Sequence, residues 1–150
     1  MNAAEAIIDR LSFSSTEGAL VMEDFGYHTI WDITGANSAV LRDEQALHRF
    51  FHTVLLSSGF TVIDDLVHKF VLGGEGVTGL FLLSESHLSY HTYPENSYIS
   101  IDVYTCGKNN ASINSGIRRF FGDHVNVNCR TLRRGSGLAI DKECCDEACR

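Results

Sequence analysis

Ser84-Glu85-Ser86-His87-Leu88-Ser89-Tyr90-His91-Thr92-Tyr93-Pro94-Glu95, followed by Tyr98-Ile99-Ser100-Ile101-Asp102-Val103-Tyr104-Thr105, is the stretch on which the fold turns. Side chains of a strand point alternately to its two faces, so His87, Ser89, His91 and Tyr93 share one face while Leu88 and Tyr90 share the other. The second run repeats the pattern, with Ile99, Ile101 and Val103 opposite Ser100, Asp102 and Tyr104. Two strands, each with an apolar and a polar face, follow from this alternation.

Upstream, Val77 to Leu83 is apolar enough for a buried strand, and Phe60 to Leu72 is another β-rich run ending in Gly73-Gly74-Glu75-Gly76. Val21 to Thr34 mixes β-branched and aromatic residues before a turn at Gly35-Ala36-Asn37, which predicts a first strand. Between these the period changes. Leu47, Phe50, Phe51, Val54 and Leu55 fall at helical spacing, with Asp43 as a candidate cap and Gly59 as a stop. Ile113, Ile117, Phe120 and Phe121 signal a second helix ended by Gly122, and Val125, Val127 and Cys129 a last strand. Five or six strands with two helices after non-adjacent strands predict an α+β fold. It is a single-domain α/β sandwich, an antiparallel or mixed β-sheet with helices packed on one face. The domain is expected over 19–135, with a leader at 1–18 and a Cys-rich C-terminal tail at 136–150.

The chain has 150 residues, with 12 Lys and Arg against 19 Asp and Glu, a net charge of -7. That balance argues against nucleic acid and against anionic membranes as partners, because both need clustered cations to displace counterions. A small-molecule substrate or another protein is expected instead. The N-terminus carries acidic residues where a signal peptide carries positive charge, and no apolar run approaches the ~20 residues of a membrane span. A cytoplasmic protein whose five cysteines are thiols is the expectation.

The segment from Ser84 to Gly107 concentrates the reactive side chains. No G-x-S-x-G elbow exposes a serine for triad hydrolysis. His87 and His91 are not in a zinc-type H-E-x-x-H arrangement and lie roughly 13 Å apart along a strand, so no metal site is expected. On the residues alone the cluster reads as the polar face of a strand and its turn.

Ser84-Glu85-Ser86-His87-Leu88, then His91-Thr92-Tyr93-Pro94-Glu95, then Asp102-Val103-Tyr104-Thr105-Cys106-Gly107 resembles, in order and spacing, the signature of the prokaryotic-type S-adenosylmethionine decarboxylases. Weaker likeness runs through Gly26-Tyr27-His28 and from His68-Lys69-Phe70 to Gly79. The resemblance implies a proenzyme that cuts itself between Glu85 and Ser86 into a β chain of 1–85 and an α chain of 86–150. The Ser86 hydroxyl attacks the preceding carbonyl, β-elimination follows, and the residue becomes an N-terminal pyruvoyl group, the covalent cofactor. A free hydroxyl is a weak nucleophile and needs a nearby base; the resemblance assigns this assistance to His91 and to Thr78, which stands where the family has serine. The pyruvoyl group would form a Schiff base with the substrate amine and act as electron sink. Cys106 would be the acid that reprotonates the product carbon, a thiol being tunable towards neutral pH.

For the pocket, the resemblance points to Phe70, Tyr93 and Glu95: rings to stack on an adenine, and a carboxylate to meet ribose hydroxyls. Tyr93 replaces the family's tryptophan, and tyrosine still stacks. Glu75 lies in a Gly-rich insertion where relatives carry a proline and an aromatic residue. Its carboxylate would suit a compact cation, so arginine or ornithine is the alternative to S-adenosylmethionine. A non-catalytic regulatory homologue is the remaining reading, opposed by the intact Glu85, Ser86, His91 and Cys106. The family resemblance further implies a homodimer of processed αβ protomers.

Overall fold

The computed structural model describes residues 24–106 and 110–136, together with the backbone of 143–144. The chain runs β1 (Gly26–Thr34), α1 (Ser38–Arg42), α2 (Glu44–Ser57), β2 (Val62–Lys69), β3 (Val77–Leu83), β4 (Ser86–Tyr93), a 3-10 turn (Pro94–Asn96), β5 (Tyr98–Thr105), α3 (Ala111–Phe121), β6 (Asn126–Arg134) and β7 (Glu143–Cys144). The strands form one sheet in the order β2-β3-β4-β5-β1-β6-β7, and every neighbouring pair is antiparallel. The first strand is therefore central, between β5 and β6.

Alternation does what it should. Leu88, Tyr90, Ile99, Ile101, Val103, Trp31, Ile33 and Phe81 are all buried on one face of the sheet. The helices cover that face. Asp43 Oδ1 accepts the Ala46 N–H at 2.9 Å to cap α2, which buries Leu47, Phe51, Val54 and Leu55. Phe51 stacks on Tyr90 at 4.3 Å, the Trp31 indole donates to Asn114 Oδ1 of α3 at 3.1 Å, and Phe50 stacks on Phe120 at 4.1 Å to join the two helices.

Tyr90 fits because its neighbour across the ladder is Gly79; a Cβ there would collide with the Tyr90 ring. The phenol hydroxyl has no hydrogen-bond partner among the described residues, and burial, followed by the charges of Asp65 and Glu44, raises its pKa. Gly79→Ala should consequently cost about 1–3 kcal/mol by overpacking. Urea unfolding checks this; an unchanged midpoint would mean that the Tyr90 ring moves freely aside.

Several expectations need correction. The first strand starts at Gly26 rather than at Val21, residues 21–23 lying outside the described residues. The run from Phe60 to Leu72 yields a strand only over Val62–Lys69: Phe60 is core, whereas Val71 and Leu72 are 86% and 84% exposed in the loop closed by Phe70 N–H on Gly76 O. Helix α1, five residues capped by the Asn37 side chain, had no periodic signal at that length. The last strand extends to Arg134, and the short β7 falls in the stretch expected to be a tail. Cys129, expected as a thiol, is disulfide-bonded. β7 pairs Cys144 with Thr131, which brings C-terminal backbone within two residues of it. The leader at 1–18 and most of the tail lie outside the described residues. No helix among the described residues is long and apolar enough to cross a membrane.

Candidate functional site

Opposite the helices the sheet face is open, and the polar residues of β4 and β5 project from it. They form two groups at opposite ends of β4.

The first group surrounds the Glu85–Ser86 bond. Glu85 is only 2% exposed; Thr61 N–H donates to its Oε2 at 3.1 Å. The carbonyl of Glu85 accepts the backbone N–H of Cys106 at 3.0 Å, because Ser86 pairs with Thr105 across the ladder and Cys106 follows at the strand end. Ser86 has φ +141°, a state that side chains with a Cβ rarely adopt and that holds strain of order 1–3 kcal/mol. Its Oγ lies 3.2 Å from His87 Nδ1. Cys106 is an exposed free thiol.

Behind His87 stands a carboxylate. Asp102 Oδ1 is 3.8 Å from His87 Nε2 and 3.4 Å from His28 Nε2, and Ser89 Oγ–H donates to Asp102 Oδ2 at 2.6 Å. The hydrogen bond from His28 holds the Asp102 carboxyl below the usual carboxylate range; partial burial opposes this, and the Ser89 hydroxyl and the neighbouring His28 and His87 imidazoles reinforce it. Tyr104 lies beside both imidazoles, with ring centroids 5.8 Å from His28 and 6.1 Å from His87, and the Arg134 guanidinium sits 4.7 Å over its ring.

The second group lies at the far end of β4. Thr78 Oγ1 and His91 Nδ1 are 3.0 Å apart. Thr92 turns inward, accepts the Val77 N–H and donates to Leu41 O, while Ser38 donates to Pro94 O. The motif His91-Thr92-Tyr93-Pro94-Glu95 is thus anchored through its alternate residues. Tyr93 stays 42% exposed and stacks on Tyr98 at 5.4 Å. Glu95 lies against Gly74, where any Cβ would collide with its carboxylate. Glu75 faces Arg42 at 3.7 Å, and Arg42 also donates to Gly74 O at 3.1 Å, so the carboxylate proposed for a cationic substrate already has a counter-ion. Phe70 is half exposed, edge-on to His68 at 4.8 Å.

Five residue steps along the strand take Ser86 to His91, roughly 16 Å. One copy of the chain therefore brings Ser86, Glu85 and Cys106 together, and separately Thr78 with His91, Tyr93, Glu95, Phe70 and Glu75. It does not bring the two sets into contact. Sequence reading passed over the Asp102–His28 pair, although both residues lay in quoted segments; their meeting depends on the β5–β1 register, which sets His28 opposite Tyr104 and Ile30 opposite Asp102. A groove of about 680 Å³ between α2 and α3 lies on the helix side of the sheet and is lined by none of these residues. Among the described residues no group of three or more His, Cys, Asp or Glu could hold a metal ion.

The family model for S-adenosylmethionine decarboxylase matches residues 27–135. The S-adenosylmethionine decarboxylase proenzyme of Prochlorococcus marinus (strain MIT 9313) is 44% identical over 82 residues, 55% of this chain and 64% of its own. Its counterpart in Geobacillus sp. (strain WCH70) is 41% identical over 86 residues, 57% of this chain and 68% of its own. That of Methanococcus maripaludis is 39% identical over 87 residues, covering 58% and 70%. The match thus spans about two thirds of the length of these curated relatives. The crystal structure of the adenosylmethionine decarboxylase from Aquifex aeolicus superposes with a TM-score of 0.63 at 22% identity, covering 81% of this chain and 98% of that one.

Proposed function

The chain belongs to the S-adenosylmethionine decarboxylase family, and from that premise we propose that it is a self-processing, pyruvoyl-dependent decarboxylase of S-adenosylmethionine, a cytoplasmic enzyme of polyamine biosynthesis. The observation that carries this reading is the Glu85–Ser86 bond: a strained serine at φ +141° follows a carbonyl already hydrogen-bonded by Cys106 N–H. When Ser86 Oγ attacks that carbonyl carbon, negative charge develops on the oxygen, and a donor fixed on it in advance stabilises the charge without reorganisation. Release of the φ strain favours the same direction. The residues present therefore fit the group that Ser86 would become.

Once formed, the pyruvoyl group at position 86 supplies the electron sink that lets carbon dioxide leave. The chain's own residues do the rest. Cys106, exposed beside that position, holds the proton returned to the product carbon. Tyr93 and Phe70 offer half-exposed rings for stacking an adenine, and Glu95 a carboxylate for ribose hydroxyls. Glu75 faces Arg42, which removes the main support for arginine or ornithine.

Two features of the open face support a homodimer with shared sites. Leu66, Leu80 and Leu82 project from it at 70%, 45% and 50% exposure, forming an apolar patch of the kind that marks an interface. A two-fold packing of this face on itself, with the axis running across the strands, would also place the Thr78–His91 end of one copy against the Ser86 end of the other, closing the gap of roughly 16 Å.

Mass spectrometry of the purified protein should give two fragments, the C-terminal one starting at a pyruvoyl group in place of Ser86. Carbon dioxide release should be seen with S-adenosylmethionine and not with arginine or ornithine in parallel assays. A full-length chain that never cleaves defeats the reading, and release from the amino acids alone defeats the substrate.

A further inference from the structure

The proposed function leaves one question about the first chemical step: what takes the proton from Ser86 Oγ. Within the chain, His91 is roughly 16 Å away along the strand and engaged with Thr78. His87 is at hand. We propose that His87 is the general base and acid of the acyl shift at Ser86, and that Asp102, itself held by His28 and Ser89, is the positioning residue that keeps the His87 ring in the required orientation. This inference rests on the self-processing reading.

The geometry has three linked parts. Ser86 Oγ is 3.2 Å from His87 Nδ1, within reach for proton transfer. His87 Nε2 is 3.8 Å from Asp102 Oδ1, so the charged carboxylate faces the far nitrogen and favours the tautomer with its proton on Nε2, leaving Nδ1 free to accept. Asp102 is fixed by neighbours on two strands: Ser89 Oγ–H donates to Oδ2 at 2.6 Å from β4, and His28 Nε2 approaches Oδ1 at 3.4 Å from β1. A serine, an imidazole and a buttressed carboxylate in this order repeat the logic of nucleophile activation, here built from sequence neighbours on one strand and an acid on the next.

The step balances without any co-reactant. The Oγ proton moves to His87 Nδ1 as Oγ bonds to the Glu85 carbonyl carbon, and the carbonyl oxygen takes the negative charge facing Cys106 N–H. The tetrahedral centre then collapses: the bond from the Glu85 carbon to the Ser86 nitrogen breaks, and His87 returns the proton to that nitrogen. The product is an ester between Glu85 and Ser86 Oγ with a free amine at residue 86. Nothing is oxidised or reduced.

The full-length precursor is tested by time course and by hydroxylamine, which cleaves esters and spares amides. His87→Ala should cleave about 100-fold more slowly than the native chain, or slower still. Hydroxylamine added within the native processing time should release no fragments from it, because ester formation itself is what fails. His87→Asn, which keeps a hydrogen-bonding group near the Nδ1 position but cannot take up a proton, should behave alike and bears the test if His87→Ala does not fold. Asp102→Asn should be slow, and Asp102→Glu, which restores the charge, should recover part of the rate; a merely structural role for Asp102 would give no such rescue. Native-rate processing in both His87 variants, or hydroxylamine-labile ester in them, overturns the inference. A native chain that itself never cleaves defeats the parent reading instead, so the two failures are distinguishable.

Discussion

Ser86→Ala should leave the protein as one full-length polypeptide, with no fragments after prolonged incubation and no carbon dioxide released from S-adenosylmethionine. The substitution removes the Oγ on which the acyl shift depends, and no neighbouring group replaces it. The Cys106 thiol belongs to a residue whose backbone is hydrogen-bonded to the very carbonyl that would be attacked. The fold should survive: one hydroxyl contact to His87 is lost, worth about 0.5–1.5 kcal/mol, and the β4 ladder depends on backbone groups. Ser86→Gly separates chemistry from strain. Glycine tolerates φ +141° without the Cβ penalty, so this variant should be uncleaved yet more stable than Ser86→Ala. Intact mass and a urea titration on both variants are sufficient. Cleavage of the alanine chain at the same bond would remove Ser86 from the mechanism, and equal stability would remove the strain.

Much of the architecture was legible because it rests on period. The alternation in His87–Tyr93 and Tyr98–Thr105 correctly assigned both faces, since a one-residue slip would have moved Leu88 and Ile101 into solvent. The spacing of Leu47, Phe51, Val54 and Leu55 likewise located the buried stripe of α2. What periodicity lacks is register between strands distant in sequence. His28 and Asp102 are 74 residues apart and meet only because β1 enters the sheet between β5 and β6, a topology the alternation does not encode. The same blindness hid the counter-ion of Glu75, which comes from the last turn of the five-residue α1. The ordered motifs singled out the bond proposed for cleavage, whereas the Cys106 N–H on its carbonyl needed the β4–β5 pairing.

The separation of Ser86 from His91 leads to the second large effect. Alone, a His91→Ala chain should fail to process, because the imidazole that the family resemblance assigns to processing is missing, and a Ser86→Ala chain should fail because the nucleophile is missing. Produced together in one cell, they should yield cleaved His91→Ala chains. If the open faces of two copies meet about a two-fold axis that runs across the strands, each site takes Ser86 and Cys106 from one copy and Thr78 with His91 from the other. In the mixed dimer one site then combines both defects and the other combines Ser86 with His91 intact. Random pairing makes roughly half of all dimers mixed, so about half of the His91→Ala chains should be cut, against none for either chain alone. The Ser86→Ala partner should remain whole in every case, which distinguishes sharing of a site from contamination by native protein. A mass tag on one chain lets mass spectrometry count the fragments by origin. Absence of any cleavage in the mixture would mean that His91 serves a Ser86 of its own copy, which the span of β4 opposes, or that the leucines of the open face meet something other than a second copy of this chain.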